Sequence, residues 1–256
     1  GVYKLSNGVA APITTFTERN KRVNSVYGTA TLSYANKIFL DVTGRNDWSS
    51  TLPSGNNSFF YPSVSTSFIL SDLLRLPEQI SFAKLRASWA QVGNDTDPYK
   101  TAKYYNTSAF PGSASVSPTL YNARFKPEIS NSIEVGLDWR MFKQRFGLDL
   151  AFYNNITRNQ ILDVPMDQTT GYTKATMNSG KVRNRGIELQ LDGTPVKTKN
   201  FTWNSTFTWA KNYNKVLSLA AGLTDGQTIA YTGGTNCALI AKVGGSIGDI
   251  YGYKLK

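Results

Sequence analysis

The fold is indicated by one stretch of the chain, Ser132-Ile133-Glu134-Val135-Gly136-Leu137-Asp138-Trp139-Arg140. Large apolar side chains occupy every second position, and glycine, hydroxyl and charged residues occupy the positions between them. A period of two residues is that of a β-strand, whose successive side chains point to opposite faces. The stretch therefore predicts a strand with one apolar face and one charged face.

The same alternation recurs on both sides of this stretch. It is clear in residues 37–45, 82–89, 146–153, 187–192 and 202–209, and weaker in residues 24–34 and 59–69. With 132–140 these segments make eight predicted strands, and residues 248–254 resemble the start of a ninth. Pro62 is expected near the end of its strand, because proline has no N–H to donate to a ladder.

The connections between these strands alternate in length. Short connections are expected at Ala35-Asn36, 142–145, 193–200 and 71–79, the last with leucines that suggest a helical turn. Longer ones are expected at 48–58 and, as long external loops, at about 93–130, 155–180 and 212–247. Membrane barrels alternate in this way because their periplasmic turns are short and their external loops are long.

Two further features favour a membrane barrel over a soluble sandwich. The strands approach the roughly 9–11 residues that cross a bilayer at a tilt, and aromatic residues such as Trp89, Trp139 and Trp209 lie near strand ends. The predicted fold class is all-β: a transmembrane antiparallel β-barrel, of which this chain supplies about eight to nine strands. Residues 1–22 are expected to lead into the barrel, and residues 23–256 to form its strands and loops.

Composition narrows the function. The 256 residues contain no histidine and one cysteine, Cys237, and the lack of histidine excludes Ser-His-Asp and Cys-His catalysis and imidazole metal sites. We expect no enzyme, no cofactor and no metal; Asn94-Asp95-Thr96-Asp97 offers oxygen ligands but lacks the spacing of a calcium loop. The net charge is +11, yet the basic residues are scattered, so no nucleic-acid partner is expected.

Several ordered motifs carry a resemblance to a known family. They include Arg45-Asn46-Asp47-Trp48-Ser49-Ser50-Thr51-Leu52-Pro53, Lys84-Leu85-Arg86-Ala87-Ser88-Trp89-Ala90-Gln91-Val92-Gly93-Asn94, Lys126-Pro127-Glu128, and parts of 178–189 and 243–253. These segments resemble the barrel of SusC/RagA-type TonB-dependent outer-membrane transporters. The similarity runs from about Val23 to Lys256, and the chain resembles a mid-to-late portion of that barrel.

The resemblance implies a function. Such transporters have a barrel of roughly 22 strands with a plugged lumen. They lie in the outer membrane of Gram-negative, Bacteroidetes-type cells and act with a SusD-like surface lipoprotein. They import oligosaccharides or peptides, driven by the TonB–ExbB–ExbD system. The plug and the N-terminal domain are expected outside this chain. A small passive porin or a surface adhesin is the alternative function.

Two sets of residues are candidates for binding. The charged faces of the strands would line the lumen and contact substrate, the plug or each other through Asp41, Arg45, Lys84, Arg86, Glu134, Asp138, Asp149 and Glu188. Aromatic residues of the longest loop would stack on sugars or pack against the lipoprotein through Tyr104, Tyr105, Phe110 and Tyr121.

Overall fold

A computed structural model describes residues 18–107, 112–219, 227–232 and 237–252. The strands in these residues are β1 (Val23–Tyr34), β2 (Ile38–Ser49), β3 (Ser58–Ile69), β4 (Ile80–Asn94), β5 (Tyr105–Thr107), β6 (Ala114–Val116), β7 (Thr119–Leu120), β8 (Glu128–Met141), β9 (Phe146–Arg158), β10 (Ile161–Pro165), β11 (Lys174–Asn178), β12 (Lys181–Lys197), β13 (Thr202–Ser218), β14 (Gln227–Thr232), β15 (Cys237–Ala241) and β16 (Ile250–Gly252). One turn of α-helix, α1 (Leu70–Leu73), and a 3-10 turn (Gln168–Thr170) complete the elements of the described residues.

The eight long strands form one sheet. Its order is β1-β2-β3-β4-β8-β9-β12-β13, and all neighbours in it are antiparallel. The eight predicted strands are therefore confirmed. Within the described part of the chain, β1 and β13 each pair with a single neighbour in this sheet, so the eight strands do not close on themselves.

The last two long strands extend further than the alternation predicts. β12 begins at Lys181 and β13 continues to Ser218, whereas the sequence pattern covers only 187–192 and 202–209. The pattern fails there because Arg183, Arg185 and Lys215 occupy positions that carry apolar side chains elsewhere in the sheet. β9 likewise continues to Arg158, so the long connections after β9 and β13 begin at residues 159 and 219.

Pro62 does not lie near a strand end, so that expectation is wrong. It is inside β3 and opposite Gly44 of β2. β4 is paired with β3 only between Ser63 and Ile69, so Pro62 lies just beyond the end of the β3–β4 ladder. Its missing N–H therefore removes no bond from the β3–β4 ladder.

The connections between the long strands include a tight turn and three small sheets. Ala35 and Asn36 both adopt positive φ, 51° and 55°, and Lys37 N donates to Tyr34 O at 3.0 Å, so the chain reverses in a tight three-residue connection between β1 and β2. The long loops carry three small sheets: β5-β6, β10-β11-β7 and β14-β15-β16. The strand expected at 248–254 is present as β16, but it pairs with β15 in one of these sheets.

The two faces of the large sheet differ in chemistry. Residues that are directly opposite on neighbouring strands share a face, so each face can be followed across the register. The apolar face carries Val42, Val64, Leu85, Leu137 and Leu150, and the polar face carries the charged residues between them. Large side chains of the apolar face stay exposed: Val26 by 66%, Phe60 by 59% and Phe207 by 55%.

The buried clusters lie where the long loops pack on the sheet. We call this edge, with Ser49, Asn94, Arg158 and Ser218, the long-loop end, and the opposite edge the short-turn end. One cluster contains Leu52, Phe59 and Phe125, and a second contains Val182, Val216 and Ala241. Among the described residues, no helix has the length and hydropathy to cross a membrane.

Candidate functional site on the polar face

The register places all eight charged candidates on the polar face. Lys84 is opposite Asp138, Asp138 is opposite Asp149, and Ser88 is opposite Glu134. Asp41 and Arg45 share this face on β2, and Glu188 shares it on β12 opposite Ala151. The candidates fall into a central group on β4, β8, β9 and β12 and a separate group on β2.

Arg86 is the centre of the first group. Its guanidinium donates two hydrogen bonds to Asp149, with Nη2 2.8 Å from Oδ1 and Nη1 3.1 Å from Oδ2. Its Nε lies 3.8 Å from Oε1 of Glu134. Two parallel N–H···O bonds between a guanidinium and a carboxylate fix the orientation of both groups.

A second arginine extends the central group toward the short-turn end. Nε of Arg140 donates to Oδ1 of Asp138 at 2.8 Å, and its Nη1 lies 3.5 Å from Oδ2 of Asp192. Arg140 and Asp192 were not among the candidates selected from the sequence. Both could have been found from the alternation. Arg140 is two residues after Asp138 and Asp192 is four residues after Glu188, so each lies on the same face as a selected residue.

A groove of about 270 Å³ opens beside Arg86. Its polar lining comes from β4, β9, β12 and β13: Arg86, Asp149, Glu188, Gln190 and Thr208. In the described part of the chain, neither Glu188 nor Lys84 forms an ion pair. The groove therefore offers one paired guanidinium and one carboxylate, that of Glu188, which has no cationic partner among the described residues.

The second group surrounds Asp47 near the long-loop end. Nε of Arg45 donates to Oδ1 of Asp47 at 2.8 Å, and the Tyr61 hydroxyl donates to Oδ2 at 2.6 Å. Asp47 is buried, and Nη2 of Arg45 also donates to Ser25 at 3.0 Å. Asp47 and Tyr61 were not selected from the sequence, although Asp47 lies two residues from Arg45. Asp41 is apart from this group and accepts a 2.7 Å bond from Thr31.

Two of the candidate aromatic residues of the longest loop contact each other. The rings of Tyr104 and Tyr121 stack at 5.5 Å, and their hydroxyls are 3.1 Å apart. The hydrogen bond to Tyr121, with burial second, raises the pKa of Tyr104 to about 12. Tyr105 is 73% exposed, and Phe110 lies outside the described residues. The two stacked rings form an aromatic platform on the loop.

The carboxylates of the segment 94–97 bind other side chains of this protein. The Asp95 carboxylate accepts from Lys21 Nζ at 2.5 Å and also from Ser49 Oγ. Asp97 pairs with Lys100 at 3.1 Å. No cluster of three or more histidine, cysteine, aspartate or glutamate residues suited to a metal occurs in the described ranges.

Comparison with known proteins agrees with this architecture. The family model described as "TonB dependent receptor-like, beta-barrel" matches residues 3–254. "TonB-dependent receptor P26" of Formosa agariphila is 33% identical over 207 residues, which are 77% of this chain and 21% of that protein. "TonB-dependent receptor SusC" of Bacteroides thetaiotaomicron is 26% identical over 230 residues, 82% of this chain and 22% of SusC.

A solved structure shows the same fold. The structure of the RagAB peptide importer in its closed-closed state superposes with a TM-score of 0.78 at 22% identity, covering 87% of this chain and 24% of that one. The chain thus spans about a quarter or less of these three proteins. The family is one of receptors and transporters rather than enzymes. From its strand order, its two unlike faces and the match over residues 3–254, the chain belongs to the TonB-dependent receptor β-barrel family.

Proposed function

We propose that this chain forms part of the barrel wall of a TonB-dependent outer-membrane importer that acts with a SusD-like surface lipoprotein. The observation that carries this proposal is the pair of faces on one continuous sheet: a hydrogen-bonded, charged face and an exposed apolar face. A barrel wall between lipid and a polar interior satisfies both faces at once. The SusC relative and the fold shared with RagAB support the lipoprotein partner.

The proposed orientation follows from the connections. The long-loop end faces the cell exterior and the short-turn end faces the periplasm, since barrels of this type carry their long loops outside. The polar face then lines the lumen. The TonB–ExbB–ExbD system would act through the N-terminal domain and plug of the full-length protein, which this chain complements.

The proposed substrates are oligosaccharides or peptides. Glu188, Gln190 and Thr208 line the groove with acceptors and donors, which suit hydroxyl and amide groups. The ion pairs that Arg86 and Arg140 form are proposed to keep the lumen wall rigid and to contact the plug. The platform of Tyr104 and Tyr121 is proposed to meet substrate or lipoprotein at the external mouth.

The test is to tag the native gene, extract the full-length protein from outer membranes in mild detergent and identify what co-purifies. We expect a chain several times longer than 256 residues with a stoichiometric lipoprotein, and loss of uptake of one labelled glycan or peptide class on gene deletion. A heat-modifiable chain of this length alone, with no lipoprotein, would instead indicate a small porin or adhesin.

A further inference from the structure

Charge is divided unequally between the two faces of the sheet. The register places every carboxylate of the eight long strands on the polar face: Asp41, Asp47, Glu128, Glu134, Asp138, Asp149, Glu188 and Asp192. The apolar face of these strands holds six basic residues: Arg158, Lys181, Arg183, Arg185, Lys211 and Lys215. We call these six residues the basic belt.

The basic belt lies at one border of the apolar surface. Across β9, β12 and β13, one cross-strand row reads Leu150, Leu189 and Trp209, and the next reads Phe152, Ile187 and Lys211. The following rows, toward the long-loop end, read Asn154, Arg185 and Tyr213, and then Ile156, Arg183 and Lys215. Apolar side chains thus give way to cations within two rows, or about 13 Å along a strand.

The basic residues of the belt face one another across the strands, and no carboxylate of the eight long strands shares their face. Arg183 is directly opposite Lys215, and Lys181 is directly opposite Arg158, which is an unfavourable arrangement for like charges. None of the six forms an ion pair within the described residues. An anion from another molecule, bound by the exposed nitrogens of the belt, would relieve this repulsion.

We propose that the basic belt binds the phosphate groups of lipid headgroups in the membrane leaflet at the long-loop end. Lysine and arginine at the end of an apolar band lie at the depth of the headgroups, where their nitrogens reach phosphate oxygens. Acyl chains of the same lipids would then cover Phe152 and Ile187 in the adjoining row. This continuity with exposed apolar surface favours a lipid over an acidic protein as the occupant.

The inference rests on the membrane placement in the proposed function. With the long-loop end outside, the leaflet concerned is the outer one, and lipid A supplies the matching chemistry: phosphates on a sugar headgroup above acyl chains. The belt covers only the external ends of β9, β12 and β13, so it predicts a localised lipid site rather than a uniform ring around the barrel.

The test uses the full-length protein, isolated with its partners in mild detergent, and native mass spectrometry with purified lipid A as the probe. Wild type is compared with Arg183→Gln/Lys215→Gln, which removes one opposite pair of the belt. The control is Lys143→Gln/Lys199→Gln, which removes two exposed charges from the short-turn connections of the same strands. Each protein is titrated with lipid A and with enzymatically dephosphorylated lipid A.

We expect wild type and the control to bind phosphorylated lipid A at least tenfold more tightly than the dephosphorylated form, and the belt variant to lose most of this preference. Equal binding of both lipids by wild type overturns the proposal, and this comparison decides even if the belt variant fails to fold. Loss of a co-purifying acidic protein from the variant, with lipid binding unchanged, also overturns it. Lipoprotein co-purification, scored in the same samples, tests the proposed function separately, because the belt does not line the lumen.

Discussion

Arg86 on β4 reaches Asp149 on β9 across the intervening strand β8. The residue of β8 that is directly opposite Arg86 is Gly136, and a Cβ at Gly136 would lie 2.4 Å from Nε of Arg86. Arg140 repeats the arrangement one strand further on: it passes over Gly147 of β9 toward Asp192 of β12. Glycine on the polar face therefore gives each arginine the space to connect strands that are not neighbours.

The first prediction concerns the strength of the Arg86–Asp149 pair. The side chains of both residues are about one-third exposed, at 35% and 33%, so water screens the pair. We expect a double-mutant cycle of Arg86→Gln and Asp149→Asn to give a coupling free energy of about 1 kcal/mol. The measurement is guanidinium unfolding of the full-length protein in detergent, and additive single effects would contradict a direct interaction.

The second prediction concerns Gly136. Gly136→Ala would push the Arg86 guanidinium aside, and because that side chain is flexible the cost is the lost ion pair rather than backbone strain. We expect a destabilisation of about 1 kcal/mol in wild type and almost none in the Arg86→Gln background. Gly28→Ala is the matched control, since nothing lies within 4 Å of its added Cβ. An equal cost in both backgrounds would show that Gly136 acts through something other than Arg86.

The packing of Arg86 over Gly136 separates the features that the sequence predicts from those that depend on the fold. Alternation identified eight strands and assigned Arg86, Asp149 and Gly136 to one face, because a period of two residues is visible in a single chain. It could not show that Arg86 reaches β9, which depends on strand order and register across a loop of more than thirty residues. The alternation also did not predict the beginning of β12. Arg183 and Arg185 lie on the apolar face there and interrupt the apolar pattern on which the prediction depended.

A third prediction concerns the folding of the longest loop over the sheet. The side chain of Asn178 accepts from Lys126 N at 2.9 Å and donates to Lys126 O at 2.8 Å and to Asn159 O at 2.9 Å. Asn178→Ala would leave these main-chain groups unpaired, at a local cost of about 1–3 kcal/mol. We expect faster protease cleavage within residues 95–127 of the full-length protein.

Asn122→Ala is the control for that experiment. Its side chain belongs to the same loop but accepts only a local bond, from Arg124 N at 2.8 Å. Cleavage of this variant should match wild type. Equal cleavage of the two variants would mean that Asn178 does not hold the loop in place.

The fourth prediction is a pH dependence in the β10–β11 hairpin. Partial burial alone would raise the pKa of Asp163, but hydrogen bonds from Lys174 and Thr176 outweigh it and lower that pKa below its ordinary value. A carboxylate whose folded pKa is lowered stabilises the fold above its unfolded pKa of about 3.9, and this contribution is lost as the pH falls through the folded pKa.

Hydrogen exchange of the β10–β11 amides in the full-length protein would measure this effect. We expect their protection to fall as the pH drops below about 4, after correction for the intrinsic exchange rate. Asp163→Asn should remove that step, and Asp97→Asn, which alters an exposed pair with Lys100, should retain it. A step that persists in Asp163→Asn would assign the pH dependence to another group.

The last prediction concerns substrate contact in the groove. Glu188 lines it beside Arg86, is exposed, and forms no ion pair in the described part of the chain, so its carboxylate is available to accept hydrogen bonds from a solute. Glu188→Gln keeps the shape but removes the charge, and replacing an exposed, unpaired group should change stability by less than about 0.5 kcal/mol. We expect the substrate concentration for half-maximal uptake to rise several-fold in cells carrying the full-length variant, with protein abundance unchanged.

Glu78→Gln, at an exposed position of the short-turn end, should leave uptake as in wild type. If Glu188→Gln also left the concentration dependence unaltered, the carboxylate would not contact substrate.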